Sequence, residues 1–373
     1  MAYIGSQPAN SVLTSDQIAD GAVTTNDLAN NIVTVNKLAP SAQNLTWRNR
    51  IINGDMRIDQ RNNGASVTPA GGQYLLDRWV AGLSQSSKYS VQQNAGAVTP
   101  PVGFVNYLGV TSLSAYSVVS SDFFAISQRI EGLNVSDLGW GTANAATVTL
   151  SFWVRSSLTG TFGGSVANNG SDRSYPFSYT ISAANTWEQK SITIVGDTSG
   201  TWLTTNGRGL VLSLSLGMGS TYSGTAGSWA GTNYLSATGA TSVVGTNGAT
   251  FYITGVQLER GSVTTEFERV EYGEMLRRCQ RYCLDTTASP TGVTTSSGAI
   301  TGYTFPCVMR ATPTFTRISG GTLVEATNGF AVTGANPDTL SPFGGRVDFV
   351  TSATTATRGA VVITPRVRFE AEL

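Results

Sequence analysis

Apolar side chains in this chain recur at every second position, and that period points to β-sheet before anything else. Leu150, Phe152 and Val154 alternate with Ser151 and Trp153, and Leu210, Leu212, Leu214 and Leu216 alternate with Val211, Ser213 and Ser215. Successive side chains of a strand face opposite ways, so this is the pattern of half-buried strands. Phe251–Leu258 continues it, and long Gly-, Ser- and Thr-rich stretches such as Gly217–Gly248 separate the runs without proline or a helical period. Many short strands with no βαβ spacing predict an all-β chain with a jelly-roll-like β-sandwich over 46–268.

Two stretches depart from that pattern. Over Val270–Leu284 the side chains of Tyr272, Leu276, Cys279 and Cys283 fall at i, i+4, i+7 and i+11, with Glu274, Arg277, Arg278 and Arg281 opposite. This predicts an amphipathic helix serving as a connector over 269–284. Beyond it the pattern is again that of strands (Val361-Val362-Ile363-Thr364, Val367-Arg368-Phe369), so 285–373 reads as a smaller C-terminal β domain. The first 45 residues differ from both. Thr14–Ala19, Thr24–Ala29 and Thr34–Ala39 repeat Thr-x-x-x-Ile/Leu-Ala every ten residues. A repeat this short cannot bury an apolar face alone. Ile18, Val23, Leu28, Val33 and Leu38 would be covered if several copies of the chain wound together, which makes 1–45 an extended stalk of at most about 150 Å.

Composition removes whole classes of chemistry. The chain has no histidine, which excludes Ser-His-Asp and Cys-His nucleophile systems and His-ligated zinc. Its 23 basic and 23 acidic residues cancel, so no basic surface for nucleic acid is expected. No run of 18 apolar residues occurs, and no membrane insertion is expected. The opening residues Met1–Pro8 lack the basic and apolar regions of a secretion signal, so synthesis in a cytoplasm is expected. The three cysteines, Cys279, Cys283 and Cys307, are too few for a disulfide scaffold and read as small buried apolar residues. No metal or cofactor is expected.

Four further stretches carry a resemblance. They are Arg50–Arg61 (RIINGDMRIDQR) with Asp77-Arg78-Trp79; Gln128–Gly132 leading to Leu150–Arg155; Thr254–Ser262 through Phe267–Arg269 to Cys279–Tyr282; and Phe305–Thr314. In order and spacing they resemble the tail-fibre and fibre-like receptor-binding proteins of tailed bacteriophages, particularly phages of cyanobacteria and other aquatic bacteria. The decads also resemble those of viral fibre stalks. The resemblance implies a homotrimer, its N-terminus fixed to a tail or baseplate protein of the virion and its β domains facing the host surface. Within these stretches Asn53-Gly54-Asp55 reads as a turn with glycine in the left-handed region. Arg129, Glu131, Glu259, Arg260, Glu266, Glu268 and Arg269 read as charges at strand ends, mostly in surface ion pairs worth about 0–1 kcal/mol.

For function, attachment to a host surface glycan or lipopolysaccharide fits best. Sugars offer C–H faces to aromatic rings and hydroxyls to amides and carboxylates. That mixture occurs in Tyr222, Trp229, Asn233 and Tyr234, and again in Asn169, Asp172 and Tyr175. The same aromatics could instead only pack a loop. A purely structural virion part is the alternative. A glycan-cleaving enzyme needs two carboxylates about 5–9.5 Å apart, and the candidates Asp55, Asp77, Glu131, Glu188 and Glu259 are scattered along the sequence. No catalytic residue is assigned.

Overall fold

The structure, a computed structural model, describes residues 47–373 except 288, 296, 326–327, 352–358 and 364. The decads, with Ile18, Val23, Leu28, Val33 and Leu38, lie outside the described residues. Residues 47–373 form one compact unit.

Two five-stranded antiparallel sheets build the first part. One has the order β1 (Trp79–Leu83), β4 (Phe123–Glu131), β9 (Arg208–Met218), β6 (Gly160–Ala167), β7 (Ser174–Ile181). The other has β2 (Tyr89–Gln93), β3 (Leu108–Ser112), β12 (Thr250–Arg260), β5 (Val148–Ser156), β8 (Glu188–Ile194). The chain passes back and forth between the sheets, as in a jelly roll. Their facing sides interdigitate Phe124, Phe152, Phe162, Phe251 and the four leucines of β9, all fully buried. These are the alternating positions legible in the sequence.

The outer face of the first sheet departs from the half-buried expectation. Ser213 and Ser215 of β9 and Ser165 of β6 are as buried as the leucines beside them. The loop after β9 folds back across this face. Its two short strands β10 (Ser223–Gly224) and β11 (Ser236–Ala237) pair in parallel, and Thr241 N donates to Thr161 O at 2.7 Å. Ser127 and Ser213 share a hydrogen bond of 3.0 Å beneath it.

After the sandwich comes one helix, α1 (Tyr272–Gln280), shorter than the spacing predicts. It starts where Glu271 accepts a hydrogen bond from Glu274 N at 3.0 Å. Its buried side chains are Met275 and Cys279, while Tyr272 is exposed. Cys283 is buried on the following strand rather than on the helix. The helix stops because Arg281 and Tyr282 are taken by Glu131 at the end of β4: Arg281 donates to both its oxygens, at 3.0 and 2.6 Å, and the Tyr282 hydroxyl at 2.6 Å. Cys283 then pairs with Glu370.

The rest is a three-stranded sheet, β13 (Cys283–Thr286), β21 (Arg366–Glu370), β16 (Thr314–Ser319), and a closed six-stranded barrel. The barrel runs β14 (Thr291–Thr295), β15 (Gly298–Thr304), β19 (Gly344–Thr351), β18 (Asn328–Ser341), β17 (Thr322–Glu325), β20 (Gly359–Ile363). One core, with Phe349, Phe369 and Leu323 at its centre, serves both.

The resembling stretches meet where these two parts join. Asn53, fully buried with φ 58°, accepts from Ile58 N and donates to Ile58 O and Asp77 O. It is thus Asn53, not Gly54, that takes the left-handed conformation; Gly54 is required because a Cβ there would sit 2.1 Å from Val256 O. Gln128 and Ile52 exchange hydrogen bonds of 2.9 Å through the glutamine amide. Arg61 donates to Asp77 at 3.1 Å and to Glu370 and Glu372 at 2.9 Å. Arg78 pairs with Glu372, and its guanidinium lies 3.6 Å from the Tyr282 ring centroid. Arg310 ties Ala371 O and Glu372 O to Asn206 O across the junction. Several charges read as surface pairs are therefore interior. Glu131 is buried against Arg281, and Glu259 is buried, accepting from Thr265 at 2.6 and 2.9 Å. Arg260, Glu266 and Arg269 do remain exposed.

Removing one partner of a buried ion pair strands the other, at about 3–5 kcal/mol. Arg61→Ala is thus expected to lower unfolding stability by about that amount, measured by urea titration; a loss under about 1 kcal/mol would show the cluster to be no support. Burial pushes the Asp77 carboxyl up to about 6 from 3.8, against the opposing pull of Arg61. Between those values the folded chain holds a proton that the unfolded chain releases, so Asp77's contribution is fully present below about pH 4 and is lost as pH rises through 6. Asp77→Asn is expected to remove that slope from a stability series between pH 4.5 and 6.5, and an unchanged slope would assign it to another group.

Candidate functional site

Four loops at one end of the sandwich bring together residues far apart in sequence. Ser174 and Ala230 exchange backbone hydrogen bonds of 3.0 and 2.8 Å, and Ser174 Oγ donates to Thr232 O and accepts from Tyr234 N. The two stretches singled out in the sequence, around 168–175 and 222–234, are thereby joined. At the join three indoles and a phenol pack edge to face. The Trp229 ring lies 5.4 Å from Trp140, 5.5 Å from Trp202 and 5.2 Å from Tyr175, and Trp140 lies 4.7 Å from Trp202.

Each indole is fixed by its own N–H. Trp229 Nε1 donates to Val195 O at 2.8 Å, Trp202 to Ser199 O at 3.2 Å and Trp140 to Ala146 O at 2.7 Å. With the donors occupied, what the rings offer a ligand is carbon surface. Trp140 and Tyr175 are buried behind; Trp202 and Trp229 are half-buried and form the accessible part. Tyr175 thus backs the patch instead of facing solvent, since it lies on β7 with its ring against Trp229.

A polar rim borders the indoles. Arg173 grips Asp197 through two hydrogen bonds of 2.8 and 2.7 Å, and its guanidinium lies 5.9 Å from the Trp229 ring. The bonds to Asp197 hold the Arg173 pKa above its ordinary value, against a smaller opposing effect of partial burial. The stem of Arg173 runs where a Cβ on Gly200 would be, 2.4 Å away, and Gly200 also has φ 78°, so this turn requires glycine. Buried Asn168 pins the rim by donating to Asp172 Oδ1 at 2.6 Å and Thr201 O at 3.1 Å and accepting from Arg173 N at 3.2 Å. Asp172 and Asn169 are exposed. Asn169 accepts from Arg208 at 3.0 Å through its side-chain oxygen.

The remaining residues of the sequence reading lie elsewhere on the same loop. Tyr222 packs edge to face on Phe123 at 5.2 Å, and the Tyr234 ring rests on Gly224. Asn233 is half-buried beside it. Trp140, Trp202 and Asp197 were not visible as site residues. The only signal for them was that tryptophan is scarce, seven in the chain, and three of the seven sit here.

The scattered carboxylates all have partners. Asp55 lies 2.5 Å from Arg57, Glu188 accepts from Lys190 at 2.6 Å, and Asp77, Glu131 and Glu259 are held as described above. Among the described residues no group of three or more Asp, Glu, Cys or His side chains is placed to hold a metal ion.

No family model and no curated protein matches the sequence. Among solved structures, the enzymatically active domain of tailspike protein 4 of bacteriophage CBA120 is similar at 10% identity and a TM-score of 0.32, over 57% of this chain and 21% of that one. This chain thus spans about a fifth of the tailspike chain's length. A carbohydrate-binding module, TmCBM61, in complex with β-1,4-galactotriose is similar at 12% identity and a TM-score of 0.30, over 57% of this chain and 99% of that one. A putative sugar-binding protein from Bacteroides thetaiotaomicron is similar at 11% identity and a TM-score of 0.33, over 57% and 100%.

If Asn168 holds the rim in place, Asn168→Ala is expected to cost about 1–3 kcal/mol of stability, the penalty for stranding buried polar groups. Amide exchange at 169–173 should accelerate with it. Unchanged exchange there would mean that the Arg173–Asp197 pair suffices.

Proposed function

We propose that this chain is a non-enzymatic phage tail fibre that attaches the virion to its host by binding a surface glycan through the Trp202–Trp229 patch and its Asp172–Asn169 rim. The observation that carries this reading is the indole cluster. Tryptophan mostly serves burial, yet here two rings stay half-exposed while their N–H groups are locked to the backbone, which leaves flat carbon surface beside carboxylate and amide groups. That is the chemistry a sugar ring matches with its C–H face and hydroxyls. Rings held in place before binding lose little freedom when a ligand arrives.

A single shallow site of this kind binds weakly. The decads supply the remedy: three chains wound at 1–45 present three patches, and rebinding becomes intramolecular. The virion attachment and the trimer rest on the resemblance of the motifs and on the need of a lone aliphatic per decad to be covered by sister chains.

Each stacked ring contributes about 0.5–1.5 kcal/mol, roughly two- to tenfold in one site. Screened against a panel of bacterial surface polysaccharides, the full chain is expected to bind at least one. Trp202→Ala and Trp229→Ala should each weaken that binding by at least about threefold per site, and no reducing ends should be released. In light scattering the mass should lie near three times 39.1 kDa. A chain that binds no polysaccharide is read as a structural virion part, and one that binds equally well without both indoles takes its glycan elsewhere than at this patch.

A further inference from the structure

A second site has a different chemistry. A cavity of about 310 Å³ lies between the segment Trp47–Ile52, α1 and the turn at Cys307-Val308. Its walls carry four arginines, Arg50, Arg277, Arg278 and Arg281, and one carboxylate, Glu274. In a chain whose charges cancel overall, that is a local excess of cation.

Part of the excess is neutralised by the surroundings. Arg281 is gripped by Glu131, Arg50 donates to Asp137 at 2.7 Å, and Glu274 accepts from Arg277 at 2.9 Å and from Arg278 at 3.1 Å. Four arginines against Glu274, Glu131 and Asp137 still leave one positive charge. Donors are left over as well. Among the described residues no acceptor faces Arg278 Nη1 or Nη2 or Arg277 Nη1, and Arg50 Nε is buried with no partner.

The free end of Arg278 is held in place. Its guanidinium carbon lies 3.9 Å from the centroid of the Trp47 ring, a cation–π contact. Trp47 in turn is fixed through its backbone, since Trp47 N and Asn49 N donate to the two oxygens of Glu268 at 2.6 and 2.7 Å. A planar guanidinium with both terminal nitrogens free, lying over an indole and beside further arginines, is the arrangement that takes an oxyanion through two parallel hydrogen bonds.

From this geometry we infer that the cavity binds the anionic substituent, carboxylate or phosphate, of an acidic surface sugar, with Arg278 as its main contact and Arg277 and Arg50 in support. That the anion belongs to a surface sugar rests on the proposed function, whereas the anion site itself shares no residue with the indole patch and stands whether or not that patch takes a glycan.

Calorimetric titration of the full chain with glucuronate, glucose 6-phosphate and glucose tests it. The sugar ring is common to all three, so the difference between the acidic sugars and glucose reads the cavity, while glucose alone reads any neutral site. At least one acidic sugar is expected to bind at least tenfold more tightly than glucose, and less tightly as salt rises. Tighter binding of glucuronate identifies a carboxylate ligand, and tighter binding of glucose 6-phosphate a phosphate. Arg278→Gln is expected to abolish the advantage over glucose at an unchanged melting temperature, with Arg278→Lys in between. Should Arg278→Gln melt early, Arg277→Gln, on an exposed side chain, is expected to reduce the advantage by about threefold, the loss of one charge-assisted donor. The inference is overturned if neither acidic sugar binds better than glucose, or if the advantage survives these substitutions.

Discussion

The structure depends on a set of arginines that have left water. Arg61 and Arg78 are buried between the sandwich and the C-terminal strands, and each is matched by carboxylates from the other side of the junction, Glu370 and Glu372. Charges in such a place are costly unless every one has a partner. Neither part can therefore move away from the other without stranding a charge, and the two β parts behave as one body. The motif-bearing stretches from Arg50 to Trp79, Gln128 to Glu131, Arg281-Tyr282 and Arg310 are the material of this joint. Their role here is to hold, while Arg50 and Arg281 also line the arginine cavity.

A rigid body matters for shallow recognition. A loop that ordered only on meeting a ligand would lose part of the binding energy to ordering. The indoles of Trp140, Trp202 and Trp229 avoid this because backbone carbonyls already take their N–H groups, and Asn168 and the Arg173–Asp197 pair hold the rim. The long loop after β9 is tied down along its length, which is why serines on the outer face of β9 are as buried as its leucines.

What the sequence revealed follows from how local each signal is. The leucines of β9 and the Leu150–Val154 alternation identify strands because the period is carried by neighbouring residues, and the fold class followed from them. Helical spacing over 270–284 was only half right: Cys283 fits the helical period, but Glu131, some 150 residues earlier, captures Arg281 and Tyr282 and ends the helix. The ion pairs were misread for the same reason, since nothing near Glu131 in sequence shows that it is buried. The patch was partly legible. Trp229 and the 168–175 stretch stood out by composition, whereas Trp140 and Trp202 join them only through the crossing of distant loops. Three of the cavity's four arginines stood out as the polar side of the predicted helix, but nothing in the sequence shows that Arg50 and the turn at Cys307-Val308 close a cavity over them.

The central claim is that the half-exposed indoles are the glycan-contacting surface. Isotope-edited NMR of the tryptophan indole N–H groups, recorded while a bound bacterial surface polysaccharide is titrated in, reads it directly. The account predicts that the Trp202 and Trp229 signals shift first and furthest, with those of buried Trp79 unmoved. Shifts confined to other tryptophans, with Trp202 and Trp229 silent at saturation, would contradict it.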